Sequence, residues 1–169
     1  MIKLVDILKE VEQPQYIIYC DMDGVLVDFD RGYRELTGMT PKEADLKLGQ
    51  DGFWKPLDQA GVKFWLNLKW MPDGKALWQY LEPQNPILLS APSREESSKI
   101  GKRMWVKREL PGTRLLLKAA KYKQDYATPN SILIDDRVDN IERWNAAGGI
   151  GVCHTSAIDT IKQLKQLGL

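Results

Sequence analysis

Two carboxylates one residue apart, Asp21 and Asp23, follow directly on an apolar run in YIIYCDMDGVLVDFD, residues 16–30. Acids this close beside a buried strand repel each other and raise one another's pKa unless a cation lies between them. Hard oxygen donors without a Cys/His cluster favour Mg²⁺. An ionised Asp held beside Mg²⁺ can attack an electrophilic phosphorus, so the pair points to phosphoryl chemistry. Acid recurs at Asp135 and Asp136, again behind an apolar run, with Arg137, Asp139 and Asn140 just after. Ser90 closes another such run ahead of Ala91, Pro92 and Ser93. A hydroxyl and backbone amides before a helix N-terminus form a seat for an anion. Lys118, Lys121 and Lys123 lie between these motifs in the chain.

Each of these groups needs an element that delivers it to a common place. Residues 16–20 suit a strand buried on both faces, and Gly24 allows the turn behind it a backbone conformation closed to other residues. Residues 86–90, 113–117, 131–135 and 150–153 read as four further strands. A helix is expected over residues 28–37, stopped by Gly38. Thr40-Pro41-Lys42-Glu43 opens another, to about Leu48, with a cap, a Pro at the first position and a capping-box Glu. Asp73 caps a helix to about Leu81. Residues 94–110 form a charged helix with Ile100, Met104 and Trp105 on its inner face. Residues 138–147 form one closed by Gly148 and Gly149, and Ser156 caps the last, to about Leu167. Ile2, Leu4, Val5, Leu8 and Val11 predict a short amphipathic helix before Pro14. Residues 49–71 are less regular and rich in aromatics: Phe53, Trp54, Phe64, Trp65 and Trp70. Strands alternating with helices imply a parallel sheet covered on both faces, with right-handed crossovers.

With 24 Lys plus Arg against 23 Asp plus Glu the net charge is +1, so no global field favours nucleic acid or a membrane, although residues 99–108 are locally basic. At 169 residues one domain with a small insertion is expected. Cys20 and Cys153 read as small buried hydrophobes rather than a disulfide, which suits a reducing cytosol. Asp6, Glu10 and Glu12 stand where a signal peptide would be apolar, and a cytoplasmic protein is expected. The single histidine, His154, leaves no basis for a His-dependent hydrolase or a His-rich zinc site.

DMDGVLVDF resembles the first motif of the haloacid-dehalogenase-like (HAD) phosphatase superfamily, and ILIDDRVDN resembles its last. The resemblance implies an α/β fold: a Rossmann-like, parallel, five-stranded sheet with the first strand central, the second and third to one side, the fourth and fifth to the other. It implies a core of residues 1–29 and 82–169, with a small helical cap, residues 30–81, inserted after the first strand. Ligands then bind at the strands' carboxyl ends, where the strand order reverses. Asp21 is implied as nucleophile and Asp23 as general acid and base. Ser90 and one Lys hold the phosphoryl oxygens; Lys123 is favoured by its distance from the following strand, with Lys121 left open. Mg²⁺ is expected on Asp21, the backbone carbonyl of Asp23, and Asp136. Asp135 orients a metal-bound water, and Asp139 does likewise or pairs with a lysine.

Within the superfamily the chain is most similar to the 5'(3')-deoxyribonucleotidase-like group, through an aromatic cap with PDGKALWQYL, then LLSAPS, WVKREL and ILIDDR. KAAKYKQDYA departs from the tidier Asp-Lys-Thr type of sequence in that group. The likeness implies a (deoxy)nucleoside monophosphate as substrate, with Phe29, Phe53, Phe64 or Trp65 near the base, and Ala91 and Arg137 also at the substrate. Two alternatives stay open: a sugar phosphate or polynucleotide end as substrate, and a binding protein that keeps the fold with an idle site.

Overall fold

The computed structural model describes residues 15–169; the helix expected before Pro14 lies outside them. Five strands, β1 (Ile17–Cys20), β2 (Ile87–Ser90), β3 (Leu115–Leu117), β4 (Ser131–Asp135) and β5 (Ile150–Cys153), form one sheet in the order β3-β2-β1-β4-β5. Every neighbouring pair is parallel. The order reverses between β1 and β4. This is the α/β architecture with a central first strand that the sequence led us to expect.

Among the described residues seven α-helices connect and cover the strands: α1 (Phe29–Thr37), α2 (Pro41–Ala60), α3 (Val62–Leu66), α4 (Gly74–Leu81), α5 (Glu96–Glu109), α6 (Val138–Ala146) and α7 (Ala157–Gln166). Short 3₁₀ segments span Glu82–Gln84 and Ala120–Tyr126. Because successive strand residues point to opposite faces, the sheet supports two cores. Ile18, Cys20, Leu88, Ile132 and Ile134 join the larger, with Leu77, Trp105 and Leu164 from helices. Tyr19, Leu89 and Leu133 face the other way, onto Ile141 and Trp144 of α6.

Thr40 accepts from the Glu43 backbone N–H while the Glu43 carboxylate accepts from that of Thr40, so the capping box forms. The helix does not stop near Leu48. It kinks at Gly49, whose φ of 65° and ψ of −175° are non-helical, and continues to Ala60 through the stretch expected to be irregular. Tyr33 stacks on Phe53 at 4.8 Å and donates to the Phe53 carbonyl, which holds this second half against α1. A propensity reading sees a breaker at Gly49; the tertiary contact on the far side resumes the helix.

Two further expectations are corrected. Asp73 makes no cap bond to α4; its carboxylate accepts from the Ala157 N–H at 2.6 Å, at the start of α7. That bond, with Tyr80 donating to the Leu169 carbonyl at 2.6 Å, ties α4 to α7. In α5, Ile100 and Met104 are 42% and 44% exposed, and the buried face is Ser98, Gly101, Lys102, Trp105 and Val106. Gly101 is required there because α3 lies flush on it: a Cβ would collide with the Cβ of Trp65 and approach the Val62 carbonyl. Trp105 also donates to the Leu68 carbonyl at 2.9 Å.

Cys20 and Cys153 are unpaired, and Cys20 is buried. No helix among the described residues is long and apolar enough to cross a membrane.

His154 is buried against Thr160, Nδ1 to Oγ1 2.8 Å. Burial lowers its pKa from 6.5, against a weaker opposing pull from Asp73. Below that ordinary value the unfolded chain takes a proton that the folded protein refuses, so stability falls as pH drops through it. The expected cost is at most about 1.4 kcal/mol per pH unit. Melting temperatures at about pH 7 and about pH 5 test this: His154→Gln, which cannot take the charge, should show a smaller acid loss than the wild type.

Candidate active site

Asp21 is the first residue beyond β1, and its N–H donates to the Ile134 carbonyl of β4 at 2.9 Å. The two central strands are thus knit together up to the point where each delivers acid. The chain then folds back on Met22, whose carbonyl accepts from the N–H groups of Leu26 and Val27 at 2.9 and 2.8 Å. Gly24 makes this turn at φ +78°, and a Cβ there would run into the Asp136 carboxylate. The glycine is needed twice, for its backbone angle and for the close passage of an acid.

Lys123 is 1% exposed and sits between two carboxylates, 3.0 Å from Asp21 Oδ2 and 2.7 Å from Asp135 Oδ2. Burial would push its pKa down, but Asp21 and Asp135 more than offset this and the pKa is raised. Asp135 is fully buried and its oxygens are committed: it accepts from Lys123, from Asn140 Nδ2 and from the Arg137 N–H. Burial raises its pKa, Asp21 adds to the rise, and Lys123 opposes it. Asp136 has no such partners among the described residues. It is an exposed residue, yet loss of solvent around its carboxyl, then the charges of Asp21 and Asp135, push it up to about 7. Carboxylate oxygens of Asp21, Asp135 and Asp136 lie within 4.8 Å of one another. That donor set suits a hard divalent cation; Asp136 is its member with no side-chain partner among the described residues, whereas Asp21 accepts from the Met22 N–H and faces Lys123.

Asp23 faces the same space from the other side. Its Oδ2 accepts from Lys102 Nζ at 2.5 Å, while its Oδ1 is buried without a hydrogen-bond partner among the described residues. The neighbouring Cys20 thiol donates to the Asp21 carbonyl at 3.3 Å and is held well above its ordinary pKa, chiefly by burial.

Asp21, Asp23, Asp136 and Lys123 line a cavity of about 430 Å³ together with four aromatic rings, Phe29, Phe53, Trp54 and Trp65, of which Phe29 and Trp65 are stacked at 5.8 Å. Ala91 and Arg137 also line it. Three expected members are elsewhere. Lys121 points away, its ammonium 4.9 Å from the Tyr122 ring. Phe64 is buried behind the wall, edge-on to Phe29 and Trp65. Ser90 is fully buried with its hydroxyl toward Lys102 at 3.1 Å; at that strand end Ala91, Pro92 and Ser93 reach the cavity. Asp139 pairs with Arg137 and Arg143 rather than with a lysine. The sequence reading missed Lys102, Asn140 and, as a wall residue, Trp54. The signal available for Asn140 was its place one helical turn after the acids; Lys102 carried none.

The fold has relatives of known structure. A hydrolase from Streptococcus pneumoniae TIGR4 superposes with a TM-score of 0.55 at 16% identity, covering 89% of this chain and 99% of that one. A HAD-superfamily hydrolase from Ehrlichia chaffeensis gives 0.54 at 12%, covering 93% and 98%. One of subfamily IA from Geobacter sulfurreducens PCA gives 0.51 at 12%, covering 88% and 96%. At these identities the likeness shows the fold, a HAD-like Rossmann-type core. No family model matches the sequence, and no curated protein matches it.

Proposed function

We propose that the chain is a Mg²⁺-dependent phosphomonoesterase of HAD type, with a (deoxy)nucleoside monophosphate as substrate and an aspartyl-phosphate on Asp21 as intermediate. The observation that carries this is the wedge of Lys123 between Asp21 and Asp135, with Asp136, unpartnered among the described residues, beside it at a cavity that aromatic rings also line. Asp21, the backbone carbonyl of Asp23, and Asp136 would hold the cation, which would there neutralise these acids and polarise a phosphoryl oxygen.

In the first step an Asp21 oxygen forms a bond to phosphorus as the bond from phosphorus to the ester oxygen breaks, and Asp23 gives its proton to that leaving oxygen. In the second, Asp23 takes a proton from water, the water oxygen bonds to phosphorus, and the bond to Asp21 breaks. Lys123 stabilises the charge that gathers on the phosphoryl oxygens. It also aims the Asp21 carboxylate, 3.0 Å away. Asp135 fixes Lys123 through the buried contact already described.

Residues 30–81 act as the cap in this reading, with α1 to α3 sheltering the site and α4 anchoring the insertion on α7. Four aromatic rings suit a flat group, which favours a nucleobase over a bare sugar. Unpaired thiols suit the cytoplasm. The test is phosphate release from a panel of nucleoside monophosphates and sugar phosphates, with Mg²⁺ and with chelator. Mg²⁺-dependent release with nucleotides preferred is expected. Preference for sugar phosphates would overturn the substrate, and no release from any ester would overturn the enzyme.

A further inference from the structure

Lys102 lies mid-way along α5, 1% exposed, in a helix whose other lysines and arginines are solvent-facing or at its edge. A buried ammonium is costly unless its donors are used. Here they are: Nζ donates to Asp23 Oδ2 and to Ser90 Oγ at 3.1 Å, and it lies 5.1 Å from the centre of the Trp65 ring. It does not reach the cavity wall. The two buried lysines therefore divide the acids between them. Lys123 serves Asp21 and Asp135, whereas Lys102 serves Asp23.

We infer that Lys102 is a positioning residue that fixes Asp23 for proton transfer to the leaving group. This rests on the phosphomonoesterase reading given above. Lys102 holds the Asp23 carboxylate by Oδ2 alone, and Oδ1 has no hydrogen-bond partner among the described residues, so the side chain's direction is set by this one buried contact. Ser90 holds Lys102 from one side and the Trp65 face from the other, so the Asp23 carboxylate has one orientation rather than several. Lys102 acts through Asp23 and touches no substrate atom.

A purely structural lysine would affect all substrates alike; one that aims the acid matters in proportion to how badly the leaving group needs a proton. The test compares kcat/KM, which reports only steps through departure of the leaving group, for phenyl phosphate and p-nitrophenyl phosphate. The two esters share a ring, and the nitrophenolate departs without help. In Lys102→Met, kcat/KM should fall about 100-fold for phenyl phosphate and less than about fivefold for p-nitrophenyl phosphate. Lys102→Arg should recover part of the loss. Adding Lys102→Met to Asp23→Asn should cost nothing further, because the two residues act as a unit. Equal losses on both esters, or losses that multiply in the double variant, overturn the inference. If the Met variant does not fold, the ratio of the two esters is read in Lys102→Arg: a ratio shifted toward p-nitrophenyl phosphate supports the role, and an unchanged one overturns it. If the wild type hydrolyses neither these esters nor any nucleotide, the phosphomonoesterase reading falls and this inference with it; if it hydrolyses nucleotides alone, Lys102→Met and its double variant with Asp23→Asn are compared on the best nucleotide, where losses that multiply overturn the inference; if hydrolysis is intact and only the ratio fails to move, this inference falls alone.

Discussion

Asp21→Asn will fold and release almost no phosphate. Asparagine keeps the shape and one oxygen of the side chain, so the 2.8 Å bond that Asp21 Oδ1 accepts from the Met22 N–H can survive. The substitution also removes one negative charge from a cluster in which Asp135 and Asp136 are both raised in pKa, first by burial and then by Asp21. The melting temperature of the metal-free variant should therefore equal or exceed that of the wild type. The chemistry has no such tolerance. An amide is a poor nucleophile toward phosphorus and gives no stable phosphoenzyme, and loss of a covalent nucleophile typically lowers kcat on the order of 10⁴-fold to 10⁶-fold. Phosphate release over long incubation, beside a melting curve, checks both halves. A folded variant that keeps a substantial share of wild-type turnover would remove Asp21 from the role.

The second large effect is expected at Lys123, where catalysis and stability should be lost together. Lys123→Met leaves Asp21 and Asp135 facing each other in a buried space with no cation between them. Breaking a buried pair by deleting one partner costs about 3–5 kcal/mol, which in a chain of this size lowers the melting temperature on the order of ten degrees. The raised pKa of Lys123 sets the pH range: its stabilisation is fully present below the ordinary lysine value of 10.5 and fades only as pH rises through the higher folded one. The whole cost should thus appear at neutral pH, and it should shrink in acid, where the stranded carboxylates take protons. Turnover should fall on the order of 100-fold or more, as for loss of one preorganised charge-stabilising donor. Melting curves across pH, beside kcat on the best substrate of the panel, separate the two losses. A variant as stable as the wild type at neutral pH would show that the buried pair is not what holds these strand ends together.

Much of this site was legible because each strand announces its end. The apolar runs before Asp21, Ser90 and Asp135 are short enough to be strands, and the polar residue behind each marks where it leaves the sheet. Lys123 was legible in type, though only the fold separates it from Lys121 two residues earlier: the 3₁₀ turn over Ala120–Tyr126 sends one inward and the other out. Lys102 was not legible. In ESSKIGKRMWVKRE the obvious inner face is apolar, yet α3 packs so closely on Gly101 that the face around it, Lys102 included, is the buried one. Periodicity registers which residues prefer burial; it does not register where a neighbouring helix will press. The same blindness applies to Ser90, whose position at the strand end is as expected but whose hydroxyl is claimed by that unseen lysine.

The contact of Trp65 with Gly101 and with Lys102 has a bearing on how this protein can evolve. Trp65 is at once a wall of the cavity, the residue that closes α3 onto α5, and the ring beside the lysine that holds Asp23. A mutation there cannot alter substrate fit without disturbing a helix contact and an acid. Trp54 lines the same cavity from α2, where its ring lies edge-on to Phe53 and its Nε1 donates to Gln50 of the same helix. Lineages that acquire new substrates should do so through Trp54, while the residue at 65 stays aromatic.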